Sequence, residues 1–354
     1  MVRKQVNPGL PTRRDTIAAG LFAAAAIALP ARRSRAAQEV SVWSTTDRPI
    51  AQPLIDDFER RHPDLRVNYV ELGSVELTAR FLADEGREAD VLWSSAMDLQ
   101  VKLVNDGHAA RHPSPHAAAL PRWAVWKHEA YATTSEPVGI AYHRALWAPN
   151  ELPRTHTALT ELLLGDPQRF DQRVASYDIE RAGLGYLLAA QDSLTTPQFW
   201  DLVRALGACR AMLHADTRSM IDDLAAGRTL LAYNVLGSYV EAQARRQPEL
   251  AIIYPRDYTL VAARVAFVAR DAPHPKAARA WLDHLLSPRG QQVLADECGL
   301  TPVLPAAARS HDLARQLGES ARPIAIGPGL LAHLDRSKRA AFIARWRQPF
   351  DAAR

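Results

Sequence analysis

Apolar residues in the first third of the chain alternate between short unbroken runs and stretches at helical spacing. EVSVW (39–43) reads as a buried strand, and Pro49 to Arg61 carries Ile50, Leu54, Ile55 and Phe58 on one helical stripe. LRVNYVEL (65–72) is a second strand, Gly73-Ser74 a turn, and Val75 to Asp84 a helix with Leu77, Phe81 and Leu82 on one side. ADVLWS (89–94) is a third strand, after which Ser94-Ser95 starts the helix AMDLQVKLVND, ended by Gly107. The middle repeats the theme. VGIAYHRALW (138–147), RVASYD (173–178) and TLLAYNVLG (229–237) read as strands. Helices are predicted around Thr157 to Leu164, within IERAGLGYLLAAQ, from Pro197 to Leu213, after Asp216, and from Ser238 to Arg246. LAIIYP (250–255) and TLVAARVAFVAR (259–270) are further strands, followed by the helices KAARAWLDHLL and SPRGQQVLADE. From Thr301 the chain is rich in Pro and Ala before a basic helix around Leu331 to Arg347. Repeated βα units predict an α/β fold with mostly parallel sheets flanked by helices.

Polar residues cluster where strands hand over to helices. VWSTTDRP places Ser44, Thr45 and Thr46 in a row before Asp47, Arg48 and Pro49. Capping accounts for such a cluster, because hydroxyls and carboxylates accept from the free N–H groups of a helix start, and Pro suits the first turn. A ligand accounts for it too, since the same N–H groups attract anions. The pattern recurs at Ser74, Ser94-Ser95, Ser176–Arg181, Thr217–Ser219 and Asn234–Ser238. Strand carboxyl ends line the crevice of open α/β sheets. Recurrence therefore points to a ligand-facing rim, and Gly183 and Gly185 permit close backbone approach there.

The N-terminus reads as a cleaved export signal over residues 1–36. Basic Arg3, Lys4, Arg13 and Arg14 precede the apolar run IAAGLFAAAAIAL, which is shorter than the roughly 20 residues of a membrane span. Thr12-Arg13-Arg14-Asp15-Thr16-Ile17 resembles a twin-arginine motif, departing from it at Thr16 and Ala18, and Ser34-Arg35-Ala36 fits a cleavage site. The expected address is the periplasm. Residues 1–36 carry seven basic side chains and Asp15, a net +6, so without them the formal charge falls from +4 to −2. No basic patch with interleaved aromatics stands out, which argues against nucleic acid. Cys209 and Cys298 read as free buried thiols, although an oxidising compartment leaves a disulfide open. No GxSxG, GxxxxGK[ST], HExxH or CxxC motif is present, and the histidines are scattered.

The string from VSVWSTTDRP to ADVLWSSAMDLQVKLVNDG, continued in order by VGIAYHRALW, SYDIERAGLGYLL, GRTLLAYNVLGSY and HPKAARAWLDHLLSPRGQQVL, resembles the periplasmic solute-binding proteins of ABC transporters. More narrowly, it resembles their iron(III)-type cluster, with phosphoglycerate- and sugar-phosphate-binding members. The resemblance implies two α/β lobes around a cleft, joined by two hinge strands near Val138–His143 and Tyr258–Phe267. Lobe one would span 38–138 plus 266–302. Lobe two would span 143–258, with 303–354 a further candidate part of it. Cys209 and Cys298 would then lie in different lobes.

In the iron-binding relatives a His, a Glu and two adjacent tyrosines hold the metal. The matching positions here are Asp47, Ser95 and Leu236-Gly237, a poor donor set for ferric iron. The relatives' anion-holding segments match Arg181-Ala182-Gly183, Thr217–Ser219 and Asn234. Ser44, Thr45, Thr46, Asp47, Ser74 and Ser95 would face them from lobe one, with Asp178 and Glu180 accepting from ligand hydroxyls and Tyr142 on the hinge side. The resemblance thus implies a monomeric, non-enzymatic component of an ABC importer that captures a small anionic solute such as a sugar phosphate or phosphoglycerate. It needs no cofactor, and it presents its closed form to an inner-membrane permease. A ligand-presenting sensor for a histidine kinase, a ferric-iron binder and a periplasmic phosphoester hydrolase are the alternatives.

Overall fold

The first apolar run becomes β1 (Gln38–Ser44), whose last five residues are buried, and the helical stripe after it becomes α1 (Arg48–Arg61). The computed structural model describes residues 38–304 and 317–352, together with Val2 and Gln5. Those two residues apart, the expected export segment with its twin-arginine run and cleavage site lies outside the described residues, as do residues 305–316. The chain continues through β2 (Leu65–Glu71), α2 (Ser74–Leu82), β3 (Val91–Ser94), α3 (Met97–Asn105), β4 (Val125–Trp126), β5 (Ala130–Ala132) and β6 (Glu136–His143). Next come α4 (His156–Gly165), β7 (Val174–Tyr177), α5 (Gly183–Thr195), α6 (Phe199–Ala208), β8 (Met212–His214), α7 (Thr217–Ala225), β9 (Leu231–Leu236) and α8 (Gly237–Ala244). The last elements are β10 (Leu250–Ile253), β11 (Thr259–Ala262), β12 (Val265–Val268), α9 (Pro275–Leu286), α10 (Pro288–Asp296), β13 (Ala321–Pro323) and α11 (Arg336–Ala352).

Two sheets result among the described residues. The first has six strands in the order β2-β1-β3-β12-β5-β4, and the second has seven, ordered β13-β11-β6-β9-β7-β8 with β10 on β6. The parallel pairing expected of βα repeats holds for β2-β1-β3 and for β9-β7-β8. The strands that arrive from the other sheet, β12 and β6, run antiparallel to their neighbours, so both sheets are mixed. The chain passes between the sheets at Thr133–Ser135 and again at Ala263–Arg264. TLVAARVAFVAR is therefore two strands in two sheets rather than one. The helix expected over Pro197–Leu213 also ends early. Arg210 turns into the left-handed region (φ 46°), and Leu213 joins β8 beside β7.

One apolar core runs through both sheets, and a second cluster lies in the half built on the second sheet. Beneath the first sheet, Trp281 of α9 meets Phe58 of α1 edge-on, with ring centroids 5.1 Å apart. Beneath the second, Trp147 stacks on Phe170, and Phe342 of α11 packs against Phe199 and Trp200. Cys209 and Cys298 are both buried and free.

Candidate functional site

A cleft of about 410 Å³ opens where the carboxyl ends of strands from both sheets face one another. From the first sheet come Thr45 and Asp47 after β1, Glu71 to Ser74 and Glu76 after β2, and Ser95 after β3. From the second come Tyr177 at the end of β7, Asp216 to Ser219 after β8, and Leu236 and Tyr239 after β9. Arg264, in the crossing between β11 and β12, completes the wall.

The three consecutive hydroxyls divide their work. Ser44 is buried and its Oγ accepts from Thr46 N (3.0 Å), closing a tight turn. Thr46 is buried, its carbonyl accepts from Tyr69 (2.7 Å), and its own Oγ1 has no partner. Thr45 alone of the three lines the cleft, and its Oγ1 accepts from Ser95 N at 3.1 Å, tying the β1 end to the β3 end. Asp47 occupies the N-cap position of α1 without capping it. Its carboxylate instead pairs across the cleft with Arg218 of α7 at 2.6 Å.

Helix starts supply further donors. Asp216 caps α7 by accepting from Ser219 N (2.8 Å), and the first turn of that helix holds no acid. The N–H groups of a first turn lack intrahelical acceptors and carry partial positive charge. The α2 start is different, because Glu76 already sits in its first turn. Tyr177 hydrogen-bonds Thr217, and burial raises the phenol pKa values of Tyr177 and Tyr239 above the ordinary range.

Sequence reasoning missed Glu71 and Glu76, and it missed Arg264. Arg264 is 1% exposed, yet its Nε and Nη2 have no hydrogen-bond partner. Its nearest counter-charge is Glu136, 3.4 Å from Nε, and Glu136 is itself held by Thr134 and Ser238. Burial opposes the guanidinium charge, but Glu136, Tyr239, Tyr69 and Asp47 outweigh it, so its pKa is raised. Buried guanidinium N–H groups without acceptors are costly, and here they belong to a residue that lines the cleft. The available signal was a lone charge inside the apolar run TLVAARVAFV.

Six of the expected ligand residues line the cleft: Thr45, Asp47, Ser74, Ser95, Thr217 and Ser219. The others do not. Besides Ser44 and Thr46, Tyr142 pairs along β6 with Leu231 and Ala251. Asp178 accepts from Glu180 N (3.0 Å), and Glu180 pairs with Arg347 of α11. Arg181 is exposed and Ala182 is buried at the α5 N-cap. Gly183 stops at the edge, where its N–H donates to Ser74 Oγ at 2.8 Å. Asn234 turns inward, donating to the buried carboxylate of Asp192 at 2.7 Å. Among the described residues no group of three or more His, Cys, Asp or Glu is placed to hold a metal ion, and no helix is long and apolar enough to cross a membrane.

Two mixed sheets with a cleft lined by strand ends from both are the architecture of a two-lobed periplasmic-binding-protein fold. The chain belongs to the bacterial extracellular solute-binding proteins, whose family model matches residues 40–297. It is 34% identical to the substrate-binding protein of an ABC transporter from Agrobacterium tumefaciens, with a TM-score of 0.84 over 90% of this chain and 95% of that one. In fold it is also similar to the periplasmic binding protein AfuA from Actinobacillus pleuropneumoniae, solved with fructose-6-phosphate (TM-score 0.73, 15% identity, 89% and 99% covered). Iron-bound HitA from Pseudomonas aeruginosa shares the fold as well (0.67, 16%, 88% and 99%). No curated protein matches the chain.

Proposed function

We propose that this solute-binding protein of an ABC transporter works in the periplasm. It captures a small solute bearing an anionic group, with organic phosphates the leading class, and passes it unchanged to the permease. The observation that carries this reading is Arg264, a buried guanidinium with incomplete hydrogen bonding that lines a half-open cleft beside hydroxyl and carboxylate side chains. Arg218 stands on the same wall and adds a second guanidinium. Ferric iron is less well served, because hard cations want anionic oxygen donors. Asp47 is already engaged by Arg218, the raised phenol pKa values of Tyr177 and Tyr239 oppose phenolate formation, and the carboxylates of Glu71 and Glu76 form no cluster of three or more metal-ligating side chains among the described residues.

Titration calorimetry with phosphorylated sugars, phosphoglycerates, phosphonates, carboxylates and ferric iron tests the reading. Arg264→Lys, which keeps charge but not the fork, is expected to weaken anion binding by about 30-fold or more, and Thr45→Val by about fivefold. Arg181→Ala, outside the cleft, serves as the control. Unchanged anion affinity in Arg264→Lys, with an unchanged melting temperature, would remove the assignment.

A further inference from the structure

The charges along the cleft do not suit a solute that is negative throughout. Four carboxylates line it, from Asp47, Glu71, Glu76 and Asp216, against the two guanidinium groups of Arg218 and Arg264. Both guanidiniums already face a counter-charge, Asp47 at 2.6 Å and Glu136 at 3.4 Å. A second anionic group on the solute would meet a surplus of negative charge.

The carboxylates are not equally occupied. Asp47 is spent on Arg218, and both oxygens of Asp216 accept from Ser219 in capping α7. Glu71 accepts one backbone N–H, from Arg48 at 2.7 Å, and Glu76 faces Arg80 one turn along its own exposed helix at 3.7 Å. A carboxylate has room for about four donors, so Glu71 and Glu76 keep acceptor capacity. They flank Gly73-Ser74 on the β2–α2 side of the cleft, whereas Arg264 lies in the crossing between the sheets.

Building on the anion-site reading, we infer that the solute is amphoteric: an anionic head is held on the Arg264 side of the cleft, and a protonated amine reaches Glu71 and Glu76. Glu71 and Glu76 are then the residues that set specificity, rejecting phosphoglycerate-like solutes with a second acid.

Matched probes test this by calorimetry on the purified protein. O-Phosphoethanolamine is compared with ethyl phosphate, and β-alanine with propionate, each pair differing by the amine. The amine-bearing member is expected to bind about tenfold tighter, a preference that shrinks as salt is raised. In the Glu71→Gln/Glu76→Gln protein the preference should fall to within about twofold, while ethyl phosphate binds as well as before or better. Equal or tighter binding of ethyl phosphate, of 3-phosphoglycerate or of glucose 6-phosphate relative to O-phosphoethanolamine would overturn the inference and leave the anion site standing. A preference that survives the double substitution would overturn it too. Anion affinity indifferent to Arg264→Lys would instead overturn the anion site, and this inference with it.

Discussion

Asp98, in the first turn of α3, is buried, and burial raises its carboxyl pKa to about 7 against the pull of backbone N–H groups and Arg339. In the unfolded chain the same group titrates near 3.8. Between those values the folded state holds a proton that the unfolded state has released, so stability falls as pH rises from about 4 to about 7 and stays lowered above. Asp98→Asn keeps an acceptor for Leu99 N, 2.9 Å from Oδ1 in the native side chain, and removes the charge. It is expected to stabilise the protein by on the order of 3 kcal/mol near pH 8.5 and by far less near pH 4.5. Chemical denaturation at the two pH values reads this directly. A substitution effect independent of pH would mean that Asp98 stays ionised in the fold. Arg264 is the converse case, a buried charge with a counter-ion but with donors left over.

At the scale of the element, β9 shows how one residue bends a strand to build an interior. Gly139 pairs with Val235 and Ile140 with Tyr233, so Asn234 is the extra residue of a bulge. It takes a left-handed conformation (φ 65°), which Asn tolerates better than other side chains with a Cβ. The bulge turns its amide inward to Asp192, which also accepts from Tyr233 (2.8 Å) and Tyr258 (3.0 Å). Burial raises the Asp192 pKa while these donors hold it down. Asn234→Ala adds to the strain and removes a donor, and is expected to cost about 2–3 kcal/mol; Asn234→Gly relieves the strain and should cost about 1 kcal/mol. Denaturant unfolding of the two variants separates backbone strain from the hydrogen bond, and equal costs would mean that strain contributes nothing. Elements of this kind divide what periodicity reveals from what it hides. Strands β1, β2, β3, β7 and β9 and the helix starts after them were legible, because an apolar run followed by a polar join needs no knowledge of the rest of the chain. Asn234 read equally well as a ligand residue, since a polar residue at a strand end looks the same whether a bulge turns it inward or outward. Arg264 was hidden for a related reason. An apolar run gives no sign that it changes sheets midway, and the charge at the change is visible only once both sheets exist.

At the scale of the molecule, the two halves touch across the cleft through a few short contacts. Asp47 reaches Arg218, and Ser74 Oγ accepts from Gly183 N at the start of α5. Gly183 is a point of close approach. A Cβ built there would stand 2.8 Å from Ser74 Oγ, 2.9 Å from Leu99 Cδ1 and 3.1 Å from Ala96 Cβ, all on the facing half. A single methyl group would therefore wedge the cleft, its three nearest neighbours all belonging to the facing half. If solute capture works by closing the halves, the bound state pays this overlap and the open state does not, because a ligand drives closure only by binding that form better. Overpacking of one carbon costs about 1–3 kcal/mol. Gly183→Ala is thus expected to weaken solute binding by about 5- to 100-fold, and the larger scattering radius of the open form should persist at solute concentrations that compact the native protein. Its melting temperature without solute should stay within a few degrees, since the open form carries no clash. A protein that compacts and binds like the native one would show that the Ser74–Gly183 contact lies outside the closure path, and a large loss of unliganded stability would place the clash within the second half itself.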